Sequence, residues 1–150
     1  MSLINKSFIK IDLELENKDD VIREMAGMLD EKKLVKDKEK LILDVYAHEK
    51  EASTSMGRGI AIPHAQTEEV KEPCLVFIKT KNELSWNGDP VRLFFGIFVP
   101  KNQSESIHLK ILASLARKLI NDDFTTLLET SSSEAEIFNL LNQIEKDIRD

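Results

Sequence analysis

A three-layer α/β/α sandwich around a mixed central β-sheet is the fold the sequence predicts, and three observations predict it. Apolar segments alternate between strand and helix periodicity along the whole chain, with no repeat, low-complexity segment or long linker between them. The run Val91-Arg92-Leu93-Phe94-Phe95-Gly96-Ile97-Phe98-Val99 is apolar on both parities, as a central strand covered on both faces must be, so helices are required on each side of it. The 150 residues are also the size of one ordinary domain able to bury a core of its own, so a single domain over residues 1–150, with its core at 8–145, is expected.

Each element has its own signal. Phe8-Ile9-Lys10-Ile11-Asp12-Leu13 alternates and predicts the first strand. Asp19 or Asp20 is expected to cap a helix whose Val21, Ile22, Met25, Met28 and Leu29 recur at helical spacing. A second helix is predicted over 37–49, with Leu41, Ile42, Val45 and Tyr46 inward, giving way to the small polar loop Ala52-Ser53-Thr54-Ser55. Strands follow over 60–62 and 75–79, then a piece before the Asn87-Gly88 turn, then 91–99, where Pro100 stops pairing. A helix over 107–120 buries Ile111, Leu112, Leu115 and Leu119. The last helix carries Ile137, Leu140, Leu141 and Ile144 and starts at a capping box made by Ser133 and Glu136.

Composition narrows the function. The chain is 41% hydrophobic and 32% charged, as soluble globular proteins are, and its longest apolar run is too short to span a bilayer. Met1 to Lys6 lead into alternating charge rather than the apolar stretch of a secretory signal, so a cytoplasmic location is expected. A net charge of −6 without a dense basic stripe argues against nucleic acid and suits a small basic protein partner. The single cysteine, Cys74, sits among Leu75, Val76 and Phe77 and reads as a buried small hydrophobe; neither a disulfide nor a cysteine zinc site is available to it.

The chemistry concentrates at Gly57-Arg58-Gly59-Ile60-Ala61-Ile62-Pro63-His64-Ala65. Pro63 cannot donate a ladder bond and biases Ile62 to an extended backbone, so His64 is expected just past a strand's end, where α/β sheets bind ligands. The glycines permit close backbone approach, and Ser53, Thr54 and Ser55 supply donors for an anion. Yet the stretch lacks the third glycine of a dinucleotide fingerprint and the Lys-Ser/Thr pair of a P-loop, so no nucleotide cofactor is expected. Taken alone, His64 also reads as a hydrogen-bonded turn residue. His108, one turn before Leu112, reads as a packed or capping histidine, and His48 as a complement to its helix's C-terminal dipole. The spacings of these three histidines fit no short metal-ligand motif, and no metal is expected.

Taken together, the blocks resemble a known family. Gly59-Ile60-Ala61-Ile62-Pro63-His64-Ala65, preceded by Ser53-Thr54 and the Gly57 turn, is similar to the active-site segment of the enzyme IIA proteins of the bacterial phosphoenolpyruvate-dependent sugar phosphotransferase system, fructose–mannitol class. Val70-Lys71-Glu72-Pro73, Trp86-Asn87-Gly88-Asp89-Pro90-Val91, Val99-Pro100 and Ser106-Ile107-His108-Leu109-Lys110-Ile111-Leu112-Ala113-Ser114-Leu115-Ala116 resemble that family's further blocks in order, over residues 8–145. The resemblance implies a phosphotransferase without cofactor, in which His64 accepts a phosphoryl group from the phosphohistidine of HPr, on Nε2, and passes it to a cysteine of enzyme IIB. The membrane is then met only indirectly, through enzyme IIC. It implies that His108 hydrogen-bonds the phosphoryl oxygens, a role in keeping with loose transition states whose charge sits on those oxygens.

One position departs from the pattern. The family commonly carries an arginine in an Arg-Glu-Lys/Arg context before the Ser-Thr pair, whereas this chain reads Ala47-His48-Glu49-Lys50. A titratable ring thus replaces a permanent bidentate cation. Arg58 is one expected substitute, with Ser53, Thr54 and His48 as further phosphoryl-stabilising residues; the alternative is a protein phosphorylated slowly, or one that uses phosphorylation mainly as a signal. Two branches of the superfamily fit equally: a sugar-transport carrier, and a regulator similar to the nitrogen-related enzyme IIA, which binds protein targets according to phosphorylation state. An unrelated binding module with a structural His64 is the remaining alternative.

Overall fold

A computed structural model describes residues 3–51, 53–102 and 105–149, so Met1, Ser2 and Ala52, named above, lie outside the described residues. After a 3-10 turn at Lys6–Phe8, β1 (Ile9–Leu13) pairs in parallel with β5 (Cys74–Trp86), which pairs antiparallel with β6 (Asp89–Pro100). Asn87 and Gly88 join the last two at φ 54° and 96°, the doubly left-handed hairpin turn that Asn-Gly favours. On the far edge of β6 lie β3 (Ile60–Ala61) and β4 (His64–Thr67), both parallel to it, and β2 (Ser55–Gly57) closes the sheet antiparallel to β3. The sheet is therefore mixed, as expected, and β6 is its centre.

The alternating side chains of β5 and β6 divide the core in two. Val76, Ile78, Phe94 and Phe98 pack under α1 (Lys18–Glu31) and α2 (Lys38–Glu51). Leu75, Phe77, Leu93, Phe95, Ile97 and Val99 pack under α3 (Glu105–Ile120), α4 (Asp122–Thr130) and α5 (Glu134–Arg149). The three-layer sandwich is the observed fold. Gly96 permits the first of these contacts: a Cβ there would stand 2.6 Å from Met25 Sδ and 2.9 Å from the Phe98 ring.

Several expectations need correction. Asn17, not Asp19 or Asp20, caps α1, its side chain accepting the Asp20 N–H at 2.9 Å, while the two aspartates lie in the first turn where the helix dipole favours them. The pieces expected at 75–79 and before the turn are one strand, β5, whose register shifts between Lys79 and Leu84. Ser133 does cap α5, accepting the Glu136 N–H at 3.2 Å, but its own N–H goes to Ser131 Oγ rather than to a reciprocal partner. The strand expected to end before His64 resumes after Pro63. Because β6 extends that far, Ile97 N–H takes the Pro63 carbonyl at 3.1 Å and His64 opposes Ile97 as the first residue of β4. β2 and α4 were not expected.

Candidate active site

Three elements bring the three histidines of the chain together: His48 comes from the last turn of α2, His64 from the start of β4, and His108 from the first turn of α3. The His48 and His64 ring centroids are 4.2 Å apart, and those of His64 and His108 5.4 Å. The sequence separated these residues by 16 and 44 positions, and only the crossing of α2 and α3 over the same end of β4 unites them.

Hydrogen bonding fixes the chemistry of His64. Its Nδ1 lies 2.7 Å from the carbonyl oxygen of Ile62. A carbonyl only accepts, so Nδ1 carries the proton and, in the neutral ring, Nε2 carries the lone pair. Burial, with a smaller contribution from His48, lowers the His64 pKa against the opposing effects of the Ile62 bond and of Glu49, so the ring is neutral near pH 7. That bare Nε2 is 2.7 Å from His48 Nε2, and one proton must lie between them; His48 Nε2–H is therefore the donor. The lone pair of His64 Nε2 is therefore covered by the hydrogen bond from His48.

His108 is buried, and its Nδ1 has no hydrogen-bond partner among the described residues. Burial, and then the nearness of His64 and His48, push its pKa down to about 4, so it meets a ligand as a neutral ring. An unpartnered buried polar atom is costly, and His108 lines an opening at the site. Two openings meet at His48. One, of about 300 Å³, is lined by His48, Ser53, Thr54, Met56, Ile62, His64, Leu112 and Ala116. The other, of about 430 Å³, is lined by Asp44, Ala47, His48, Ala65, Gln66, Lys101, His108 and Leu109.

The remaining expected site residues divide. Ser53 lines the first opening; its Oγ accepts from Ser55 N–H at 3.2 Å and from Asn87 Nδ2 at 3.0 Å, which leaves its hydroxyl proton for a ligand. Thr54 is committed elsewhere. Its Oγ1 accepts from Trp86 Nε1 at 3.1 Å and its proton goes to Glu49, so it has none to give a phosphoryl group. Arg58 lines neither opening. It occupies the left-handed turn between Gly57 and Gly59, and its guanidinium pairs with Asp122 and donates to the Leu119 carbonyl at 3.4 Å, where α3 meets α4. No group of three or more histidine, cysteine or acidic side chains among the described residues is disposed to hold a metal ion. Cys74 is buried and its thiol is pushed up to about 12 by that burial.

Sequence reasoning missed Glu49, Lys18, Trp86 and Asn87 as parts of the site. The Glu49 side chain is only 3% exposed and binds Lys18 Nζ at 3.1 Å. A signal existed, because Glu49 follows His48 in the departing block and Trp86-Asn87 opens another block of the resemblance.

Residues 2–144 match the family described as "Phosphoenolpyruvate-dependent sugar phosphotransferase system, EIIA 2". The chain belongs to this family. EIIA components are phosphoryl carriers of the sugar phosphotransferase system. The chain is 32% identical over 147 residues to the PTS system fructose-specific EIIABC component of Bacillus subtilis, a match covering 96% of this chain and 23% of that protein. It therefore spans about a quarter of that relative's length. Among solved structures, nitrogen regulatory protein IIA-Ntr from Neisseria meningitidis superposes with a TM-score of 0.85 at 30% identity, over 93% of this chain and 96% of that one. Enzyme IIA mannitol of Escherichia coli, solved as a complex with phosphorylated enzyme IIB mannitol, has a TM-score of 0.79 at 21% identity over 93% and 97% of the two chains and shares the fold. No helix among the described residues is long and apolar enough to cross a membrane.

Proposed function

We propose that the chain works as a single EIIA domain in which His64 Nε2 accepts a phosphoryl group from the phosphohistidine of HPr and passes it to a cysteine of an enzyme IIB, on the cytoplasmic side of the membrane. The observation that carries this is the 2.7 Å bond from Nδ1–H to the Ile62 carbonyl, which leaves Nε2 as the nucleophilic atom. In the transfer the donor's N–P bond breaks, its electron pair returning to the donor imidazole, while the His64 Nε2 lone pair forms the new N–P bond. His48 Nε2–H, released from that lone pair, turns to a phosphoryl oxygen. His108 and Ser53 donate to the others. Attack by the partner's thiolate then returns the pair to Nε2 and restores the masked state. The net charge of −6 supports docking of a more basic donor.

A second reading, as a regulator that binds protein targets according to phosphorylation state, is favoured by one observation, the likeness to IIA-Ntr at 30% identity. Intact mass after incubation with phosphoenolpyruvate, enzyme I and HPr tests the shared chemistry. Wild type is expected to gain one acid-labile phosphoryl adduct and His64→Ala none; an adduct on His64→Ala, or none on wild type, contradicts the assignment. Loss of the adduct on adding an enzyme IIB, with phosphate appearing on its cysteine, marks the carrier rather than the regulator.

A further inference from the structure

We propose that Glu49 is a positioning residue for phosphoryl acceptance, gripping His64 through a continuous chain of hydrogen bonds while carrying His48 on the same helical turn. The proposal rests on His64 being the acceptor.

The chain can be followed atom by atom. Thr54 Oγ1–H donates to one oxygen of the Glu49 carboxylate. The Thr54 carbonyl accepts the Ile62 N–H at 2.9 Å, and the Ile62 carbonyl accepts His64 Nδ1–H at 2.7 Å. Each link orients the next, and the last sets the ring plane and tautomer of the nucleophile. From the opposite side His48, the neighbour of Glu49 in sequence, gives its Nε2–H to His64 Nε2 at 2.7 Å. Glu49 therefore stands at the common root of both bonds that hold the His64 ring.

The location is an expensive one for a carboxylate. Glu49 is buried in the last turn of α2, where the helix dipole disfavours negative charge. Its charge is answered by Lys18 from α1 at 3.1 Å and by Asn87 from the β5–β6 turn at 3.5 Å, and Lys18 in turn takes the Asn87 side-chain oxygen at 3.1 Å and lies 5.2 Å over the Trp86 ring. Three segments outside α2 thus converge on one carboxylate, the neighbour in sequence of His48. Its field also acts on the nucleophile directly, favouring the charged form of His64 against the effect of burial, with His48 and His108 as the other titratable groups facing that ring.

The network explains why Thr54, whose hydroxyl was expected at the phosphoryl group, has no proton to give it. Its side chain is the joint between Glu49 and the backbone that holds His64.

The test uses the full chain and single-turnover transfer from phosphorylated HPr, with His64 followed in parallel by NMR titration. Thr54→Val keeps the size of the side chain and breaks the joint, Thr54→Ser restores the hydroxyl, and Glu49→Gln keeps the shape and removes the charge. Misaligning the ring by a fraction of an ångström lowers the saturating rate about tenfold for Thr54→Val, with half-saturation by the donor unchanged and most of the rate recovered in Thr54→Ser. Glu49→Gln shifts the His64 titration midpoint downward, because the carboxylate that favoured the charged ring is gone. Wild-type saturating rates in Thr54→Val and Glu49→Gln with an unmoved His64 midpoint overturn the proposal, as does a change confined to half-saturation. If wild type takes no phosphoryl group at all, the acceptor reading fails on its own, while the His64 midpoint in Glu49→Gln still reports on the network.

Discussion

His64 is made reactive by what its neighbours take from it rather than by any strong base. The Ile62 carbonyl claims the Nδ1 proton, burial keeps the ring neutral, and His48 covers the lone pair with a hydrogen bond that, in the proposed transfer, a phosphoryl donor displaces. His108 contributes through its low affinity for protons, and this has a consequence for stability. Its folded pKa of about 4 lies below the reference value of 6.5, so the unfolded chain binds this proton more readily than the folded one. The stabilisation is complete above pH 6.5 and is lost as pH falls from 6.5 toward about 4, His64 adding in the same direction. Urea denaturation of wild type against His108→Gln isolates the effect from the titrating carboxylates: the difference in pH slope is expected across that window and nowhere above it. Equal slopes would mean that His108 is freely protonated in the folded protein.

At the scale of elements, the informative case is α4, nine residues whose end is fastened from inside the sheet. Lys79 on β5 is only 3% exposed, and its Nζ donates to the carbonyls of Leu128 and Glu129 at 3.1 Å each and to that of Ser131. A cation at a helix C-terminus complements the dipole, and three donated bonds offset the burial of the charge. Lys79→Met leaves those carbonyls without a donor and is expected to cost about 2 to 3 kcal/mol, read as a fall in Tm of about 6 °C for a chain of this size. An unchanged Tm would mean that the carbonyls find other partners. The same element shows where the sequence ran short. Phe124, Thr125 and Leu128 are its only buried residues, too few to display a helical period, and the lysine that fastens it lies about fifty positions upstream. β4 was missed for a related reason, since His64-Ala65-Gln66-Thr67 has no apolar alternation, its buried Thr67 being satisfied by Asp44 at 2.6 Å. In contrast β6, apolar on both parities, was legible as the centre of the sheet and required helices on both faces before any contact was known.

For the whole molecule, the sandwich exists to bring the ends of two helices from opposite layers over one strand. α2 belongs to the layer on one face and α3 to the layer on the other, yet His48 and His108 both meet His64, which opens a strand parallel to β6 at the edge of the sheet. Periodicity could reveal each layer but not which helix ends cross that edge, so the active-site role of His108 came from resemblance, His48 was read both as a dipole complement and as a phosphoryl-stabilising residue, and Arg58 as the missing cation. The structure supplies the long-range term. It turns Arg58 to Asp122 and ties the carboxylate of Glu49 to Thr54, whose carbonyl holds Ile62, the partner of His64 Nδ1. The most direct measurement is a long-range proton–nitrogen correlation of uniformly nitrogen-15-labelled protein, before and after phosphorylation by HPr. The account requires His64 to carry its proton on Nδ1 in the free protein, with Nε2 unprotonated, and the phosphorus coupling to appear on Nε2 afterwards. A free His64 protonated on Nε2, or phosphorus on Nδ1, would contradict it.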